Sequence, residues 1–358
     1  MENSKTMNAI VMQDGAVSVQ QAPVPTPQAG QVLVKSLACG ICGSDLHITR
    51  HSSEIFNLYR QLGVMTEAQD DHTPLMLGHE FCAEIVEFGP ETQQQFKVGQ
   101  RVTSVPILMS LQGAGIGVTP GLSGAYSEYF ILDEALLLPV PDALPSEAVA
   151  LTEPLAVGLH AVNRSDIGEN DTALVVGCGP IGLSVIAALK RRGVKNIVAA
   201  DLQSDKLHQA QEFGATHTVN NRDQDEIVFA AQLQPQDQQG RMVIFECVGI
   251  HTLINSFIQR APVNAMIVVS GIHTSESSVN YAYATVKELD LRFSYYYGVE
   301  EFAECLNALA EGGIPWQHML TGKVGIDGVV GAFETLMKPN QHTKIVIEPW
   351  RNGGLTVV

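Results

Sequence analysis

Short runs of alternating apolar and polar positions dominate the first third of the chain. Residues 8–12, 31–37, 83–88, 101–106 and 126–132 are rich in β-branched side chains and bounded by Gly, Pro, Asn and Asp, which predicts strands joined by turns in a barrel-like domain. After Asp166 the rhythm changes. Apolar runs at 173–176, 196–200, 217–219, 242–246 and 265–270 alternate with helical periodicity at 179–192, 204–213, 223–233 and 251–260, the βα repeat of a doubly wound parallel sheet. A helix over 300–311 and a closing strand over 344–348 are expected to return to the first domain. The chain thus reads as an α/β protein with domains at 1–154, 155–297 and a returning 298–358, and it contains no internal repeat.

One turn in the second domain carries chemistry. Gly177-Cys178-Gly179-Pro180-Ile181-Gly182 is a G-x-G-x-x-G loop between a buried strand and a helix. Gly177 allows the tight turn, Gly179 admits a pyrophosphate, and Gly182 lets helix and strand approach. The next strand ends in Asp201, nineteen residues beyond Gly182, where a carboxylate binds a ribose 2′-hydroxyl and repels a 2′-phosphate. The loop alone also fits a structural turn, and Asp201 a helix N-cap. Together strand, glycines, helix and acid predict NAD.

Charge removes whole classes of partner. The chain has 358 residues, 21 basic and 38 acidic, for a net charge of −17 without a basic stripe, which predicts no nucleic-acid or membrane partner. The first residues lack a signal-peptide pattern, and the longest apolar stretch, 173–189, is too short for a membrane span and is broken by glycines and Pro180. Cys39, Cys42, Cys82, Cys178, Cys247 and Cys305 follow no disulfide-framework spacing. A cytoplasmic protein with reduced thiols is expected.

Three segments offer metal ligands. Cys39-Gly40-Ile41-Cys42 has no second C-x-x-C, against a four-thiolate zinc, and follows a strand rather than opening a helix beside a βαβ unit, against a redox dithiol. Leu77-Gly78-His79-Glu80 and Leu151-Thr152-Glu153-Pro154 add nitrogen and oxygen donors, and a mixed set suits a catalytic zinc with an open position. Singly, each also reads as a core cysteine, or as a surface or structurally satisfied histidine or glutamate.

Gly40-Ile41-Cys42-Gly43-Ser44-Asp45-Leu46-His47, Gly78-His79-Glu80, Val98-Gly99-Gln100-Arg101-Val102, Gly124-Ala125-Tyr126-Ser127-Glu128-Tyr129, Glu153-Pro154-Leu155-Ala156-Val157 and the glycine loop stand in one order. Over nearly its whole length the chain resembles the zinc-dependent medium-chain alcohol dehydrogenases, above all the polyol branch with sorbitol, 2,3-butanediol and threonine dehydrogenases. The resemblance implies a Rossmann NAD-binding domain and a GroES-like β-rich catalytic domain. It makes Cys42 and His79 zinc ligands, with Glu80 and Glu153 binding directly or through water. Ser44 would hydrogen-bond the substrate alcohol, Asp45 support the ligand histidine, and His47 end a proton relay. Gly177, Gly179, Pro180, Ile181 and Gly182 would hold the pyrophosphate, Asp201 and Lys206 the adenosine ribose, and Val248, Gly271 and Ile272 would approach the nicotinamide.

The reaction so implied is oxidation of a secondary alcohol or polyol to a ketone, reversibly. Zinc lowers the alcohol pKa, the proton leaves through Ser44 and the cofactor ribose toward His47, and hydride passes to NAD. The small-molecule alcohol or ketone is the expected partner, in a homodimer or homotetramer paired at the edge of the strand near 265–270. A zinc-free quinone or enoyl reductase of the same fold and a non-enzymatic scaffold are the alternatives; Cys42, His79 and Asp201 argue against the first. Tyr295, Tyr296 and Tyr297 are expected to pack near the return to the first domain.

Two departures from the family matter. Residues 106–124, where many relatives hold a second zinc on four cysteines, contain none, so one catalytic zinc per chain and no structural zinc are expected. Between His47 and His79 lie thirty-one residues, with a helix predicted over 54–62, either a solvated insertion or a lid or subunit contact.

Overall fold

The computed structural model describes residues 5–63, 65–66, 69–70, 72–234, 240–273 and 275–358. Residues 1–4, part of the stretch read for a leader, and residues 64, 67, 68 and 71 of the 48–78 insertion lie outside the described set. The chain divides into two units, Met1–Glu153 with Leu320–Val358, and Pro154–Met319. The return therefore starts at Leu320 rather than at 298. Helix Val299–Ala310 stays with the second unit because Glu301 in its first turn accepts hydrogen bonds from His160 and Asn163 of helix Thr152–Ser165.

In the first unit, strand Gln31–Gly40 is the hub. It pairs antiparallel with Glu80–Phe88, Tyr129–Asp133 and Lys344–Glu348, so both ends of this unit's sequence meet on one strand. Val32, Val34, Phe81, Ile85, Phe130, Ile345 and Ile347 fill the core beneath it. Strand Ala16–Pro23, which pairs with Thr6–Gln13, was not expected: Ser18, Gln20 and Gln21 leave it largely exposed and mask its alternation. The described residues of the 48–78 segment are solvated on one side and packed on the other. Ile55 and Phe56 of helix Ser52–Gln61, with Met65 beyond it, are buried in the same core. In the 106–124 lobe, Ser110 ties its backbone N–H and hydroxyl to Asp133 at 2.9 and 2.6 Å.

Among the described residues, the second unit carries a six-stranded parallel sheet in the order His217–Asn220, Asn196–Asp201, Thr172–Val176, Met242–Glu246, Met266–Val269, Asp290–Phe293. This is the doubly wound order, with the glycine loop following the strand at which the order reverses. Met266–Val269 has neighbours on both sides and so is not the free edge that the pairing expected near 265–270 requires; the edge strands of this sheet are His217–Asn220 and Asp290–Phe293. In the latter, Leu291 and Phe293 are 39% and 61% exposed, and the alternating Asp290 and Arg292 hide the strand from an apolar pattern. No helix among the described residues is long and apolar enough to cross a membrane.

Candidate active site

The register of two strands builds the candidate metal site. Gly40 at the end of Gln31–Gly40 lies opposite Glu80 at the start of Glu80–Phe88. A Cβ at Gly40 would fall 2.0 Å from Glu80 Oε2, so only glycine leaves room for the carboxylate. Beyond Gly40 the chain turns, and Cys42 caps helix Gly43–Arg50 with an extended backbone, its N–H donating to Asp45 Oδ2 at 3.0 Å. The result brings ligand atoms of Cys42, His79 and Glu80 within 4.8 Å of one another. Sulfur, imidazole nitrogen and carboxylate oxygen form a donor set that fits zinc.

The surroundings orient that set. Asp45 is buried and also accepts a hydrogen bond from the Tyr126 hydroxyl, while its Oδ1 stands 3.6 Å from His79 Nδ1, an ion-pair distance rather than a hydrogen bond. Ser44 Oγ lies 3.4 Å from His79 Nε2. Burial pushes the Cys42 thiol up, Glu80 adds to the rise and His79 opposes it, so the thiolate calls for a cation beside it. Burial alone would lower His79, but the charges of Asp45, Cys42 and Glu153 outweigh it and raise the imidazole.

Sequence reasoning missed Lys344. Its Nζ donates to Glu80 Oε1 and Oε2 at 2.7 and 2.8 Å and to the Ile41 carbonyl at 3.1 Å. The only signal was a lysine opening an otherwise apolar strand. Glu153 is buried at the start of helix Thr152–Ser165, outside the Cys42–His79–Glu80 group among the described residues, and acts on His79 and Lys344 through its charge. His47 lies on helix Gly43–Arg50 with its ring 4.8 Å from that of His51 and its Nε2 buried. Burial lowers it, with His51 and Arg50 adding and Glu54 opposing.

The second unit holds the candidate dinucleotide site. A Cβ at Gly182 would lie 1.8 Å from the Gly177 carbonyl, whereas one at Gly179 would meet nothing within 4 Å: the loop closes tightly behind and stays open in front, a cradle that fits a pyrophosphate. Pro180 and Ile181 open helix Pro180–Arg191, whose N-terminus faces that space. Asp201 Oδ2 accepts the Cys178 N–H at 2.8 Å and Oδ1 the Gln203 N–H at 2.9 Å, so the acid also holds the loop in place. Lys206 is buried on the following helix, Ser204–Phe213, its ammonium pushed down by burial against the pull of Asp201. Val248 and Ile272 are exposed, and a Cβ at Gly271 would come 2.4 Å from the Gly249 nitrogen, which brings these two segments together.

Two family models match the chain, one in each unit. Residues 28–142 match the alcohol dehydrogenase GroES-like domain family, and residues 180–311 the zinc-binding dehydrogenase family. The chain is 33% identical to (R,R)-butanediol dehydrogenase of Bacillus subtilis over 93% of its own length and 96% of the relative's. It is 28% identical to Bacillus subtilis sorbitol dehydrogenase over 97% and 98%. A crystal structure described as a short chain alcohol dehydrogenase from Escherichia coli CFT073, complexed with the cofactor NADH, superposes with a TM-score of 0.79 at 26% identity, over 96% of this chain and 99% of that one. The chain belongs to the zinc-dependent medium-chain alcohol dehydrogenase family, as an alcohol or polyol dehydrogenase.

Proposed function

We propose that this dehydrogenase oxidises a secondary hydroxyl of a vicinal diol or polyol to a ketone, reversibly, with NAD and one zinc ion per chain. The observation that carries the reading is the Cys42–His79–Glu80 group, with the Ser44 hydroxyl 3.4 Å from His79. A zinc-free reductase has no need of that set. The compounds in the relatives' names, (R,R)-butanediol and sorbitol, carry secondary hydroxyls beside a second hydroxyl.

Bound zinc would lower the pKa of the alcohol, and NAD would accept the hydride. Cys42 and His79 would hold the ion, while Lys344 keeps the Glu80 carboxylate engaged. Asp45 fixes the His79 ring from behind. Ser44 Oγ would accept the substrate proton as its own hydroxyl proton leaves, and His47, whose Nε2 is buried and whose pKa burial lowers, would pass a proton on to solvent. Asp201 would accept the ribose hydroxyls and repel a 2′-phosphate, favouring NAD.

A second copy would pair through the exposed edge Asp290–Phe293, and six free thiols suit a reducing cytoplasm. The test is NADH formation from a panel of diols, polyols and simple secondary alcohols, before and after chelation. Turnover confined to vicinal hydroxyls and lost with the metal supports the reading. Chelator-insensitive turnover, or oxidation of NADPH by quinones or enones instead, overturns it.

A further inference from the structure

Residues 106–124 hold five glycines and no cysteine, and the five do not sit alike. A Cβ at Gly113 or Gly121 would meet nothing within 4 Å, and one at Gly115 would meet Val118 of the lobe itself at 2.5 Å. The other two press on the segment that leads into His79. A Cβ at Gly117 would lie 2.4, 2.6 and 2.8 Å from the carbonyl oxygen, carbonyl carbon and nitrogen of Gly78, and one at Gly124 would lie 2.2 and 2.4 Å from the Leu77 and Met76 carbonyl oxygens. Backbone therefore rests on backbone just before the histidine, at a range only glycine allows.

Hydrogen bonds hold the same contact. The Gly78 carbonyl accepts the Ala125 N–H at 2.9 Å, and the Leu77 carbonyl accepts the Tyr126 N–H at 3.0 Å. Tyr126 carries the connection on to the metal site, its hydroxyl within hydrogen-bond reach of the Gly40 carbonyl at 3.0 Å and of Asp45, which faces His79. Neither side of the contact has room to yield. In the lobe, Ile107–Leu108 pairs with Ala114–Gly115, Ile116 is buried with its N–H on the Pro106 carbonyl at 2.8 Å, and Ser110 is tied to Asp133. Opposite it, Met76 pairs with Val11, and the Leu77 N–H donates to the Ile10 carbonyl at 3.3 Å. Two anchored backbones in direct contact pass a displacement on rather than absorb it.

We propose that the 106–124 lobe is a clamp for His79, in which Gly117 and Gly124 are positioning residues that fix Met76–Gly78 and so the direction in which the imidazole is presented to zinc. This rests on the zinc reading above and extends it from the ligands to a segment that binds no metal itself.

The experiment compares Gly117→Ala with Gly121→Ala in the full chain. Both glycines have a positive φ, +76° and +87°, so both variants carry the same kind of backbone strain, but only alanine at 117 runs into Gly78. Zinc affinity is measured by competition with a chromophoric chelator, and urea midpoints of the metal-free chains report stability. Gly117→Ala is expected to bind zinc about ten-fold more weakly than the wild type and Gly121→Ala to stay within about two-fold, while both lower the midpoint. Equal zinc affinity in the two variants, whether lost or kept, overturns the clamp. By linkage zinc must in turn steady the lobe, so hydrogen exchange in peptides from 106–119 of the wild type, which needs no variant to fold, is expected to slow when zinc is added. Exchange there that zinc leaves unchanged overturns the clamp as well. A wild-type chain that takes up no zinc overturns the zinc reading itself, and the clamp falls with it.

Discussion

Lys344 Nζ spans both oxygens of Glu80, at 2.7 and 2.8 Å, with the two side chains 1% and 0% exposed. The partners stand 264 positions apart in the chain and meet only because Lys344–Glu348 and Glu80–Phe88 flank the same strand. A lysine this deep is held charged: burial acts to lower it, but Glu80 outweighs burial, with Cys42 and Glu153 adding, and the net shift is upward. The pair thus places one counter-charge directly beside the candidate zinc ligands and fixes where Glu80 rests.

Lys344→Met leaves Glu80 as an unpaired buried carboxylate and is expected to cost about 3–5 kcal/mol of stability. Adding Glu80→Gln to the same chain should restore much of the loss. Denaturant midpoints of the single and double variants check this, and a Lys344→Met chain as stable as the wild type would remove the pair as a structural element.

Asp45→Asn keeps the shape of the side chain but removes the charge facing His79 Nδ1 and weakens the acceptor of the Tyr126 hydroxyl. Zinc affinity is expected to fall about 10–100-fold, as for other groups that orient a ligand histidine. Competition with a chromophoric chelator measures it; unchanged affinity would mean that packing alone orients His79.

Glu301 makes acid stability testable away from the metal. Burial acts to raise its carboxyl, but the Gly298 N–H, Asn163 and His160 outweigh it and the net shift is downward. A lowered native value means the ionised group stabilises the fold above the unfolded carboxyl's usual range, and that contribution fades as pH falls through the native value. Wild type and Glu301→Gln should differ by about 1 kcal/mol at neutral pH and converge in acid. Urea midpoints across that range decide it, a gap that widens in acid being the contrary result.

Phe293→Asp places a charge on the open edge of the parallel sheet and is expected to dissociate a dimer formed there while leaving the monomer folded. Sedimentation velocity reads the change. An oligomer unaffected by the substitution would place the subunit contact elsewhere.

The parallel-sheet unit was largely legible because its central strands are mostly apolar and its helices amphipathic; Met242–Glu246 and Ser204–Phe213 sit where periodicity places them. Asp290–Phe293 escaped because an edge strand buries little and alternates charge with apolar residues. At the metal site, Cys42, His79 and Glu80 were readable as ligand types, but the company they keep was not. Lys344 reads locally as the polar end of a strand, and Tyr126 as part of a motif without a role; both acquire meaning only through long-range pairing. The second domain boundary moved to 319/320 for the same reason, since the hydrogen bonds of Glu301 to His160 and Asn163 are invisible to local pattern.

The most direct measurement is zinc content together with NADH formation from a vicinal diol, in the wild type and in Cys42→Ser. The account predicts about one zinc per wild-type chain with NAD-linked turnover, and a folded variant that loses both by at least about a hundred-fold. A variant that keeps its zinc and its turnover would contradict the assignment of Cys42, and with it the metal site on which the mechanism stands.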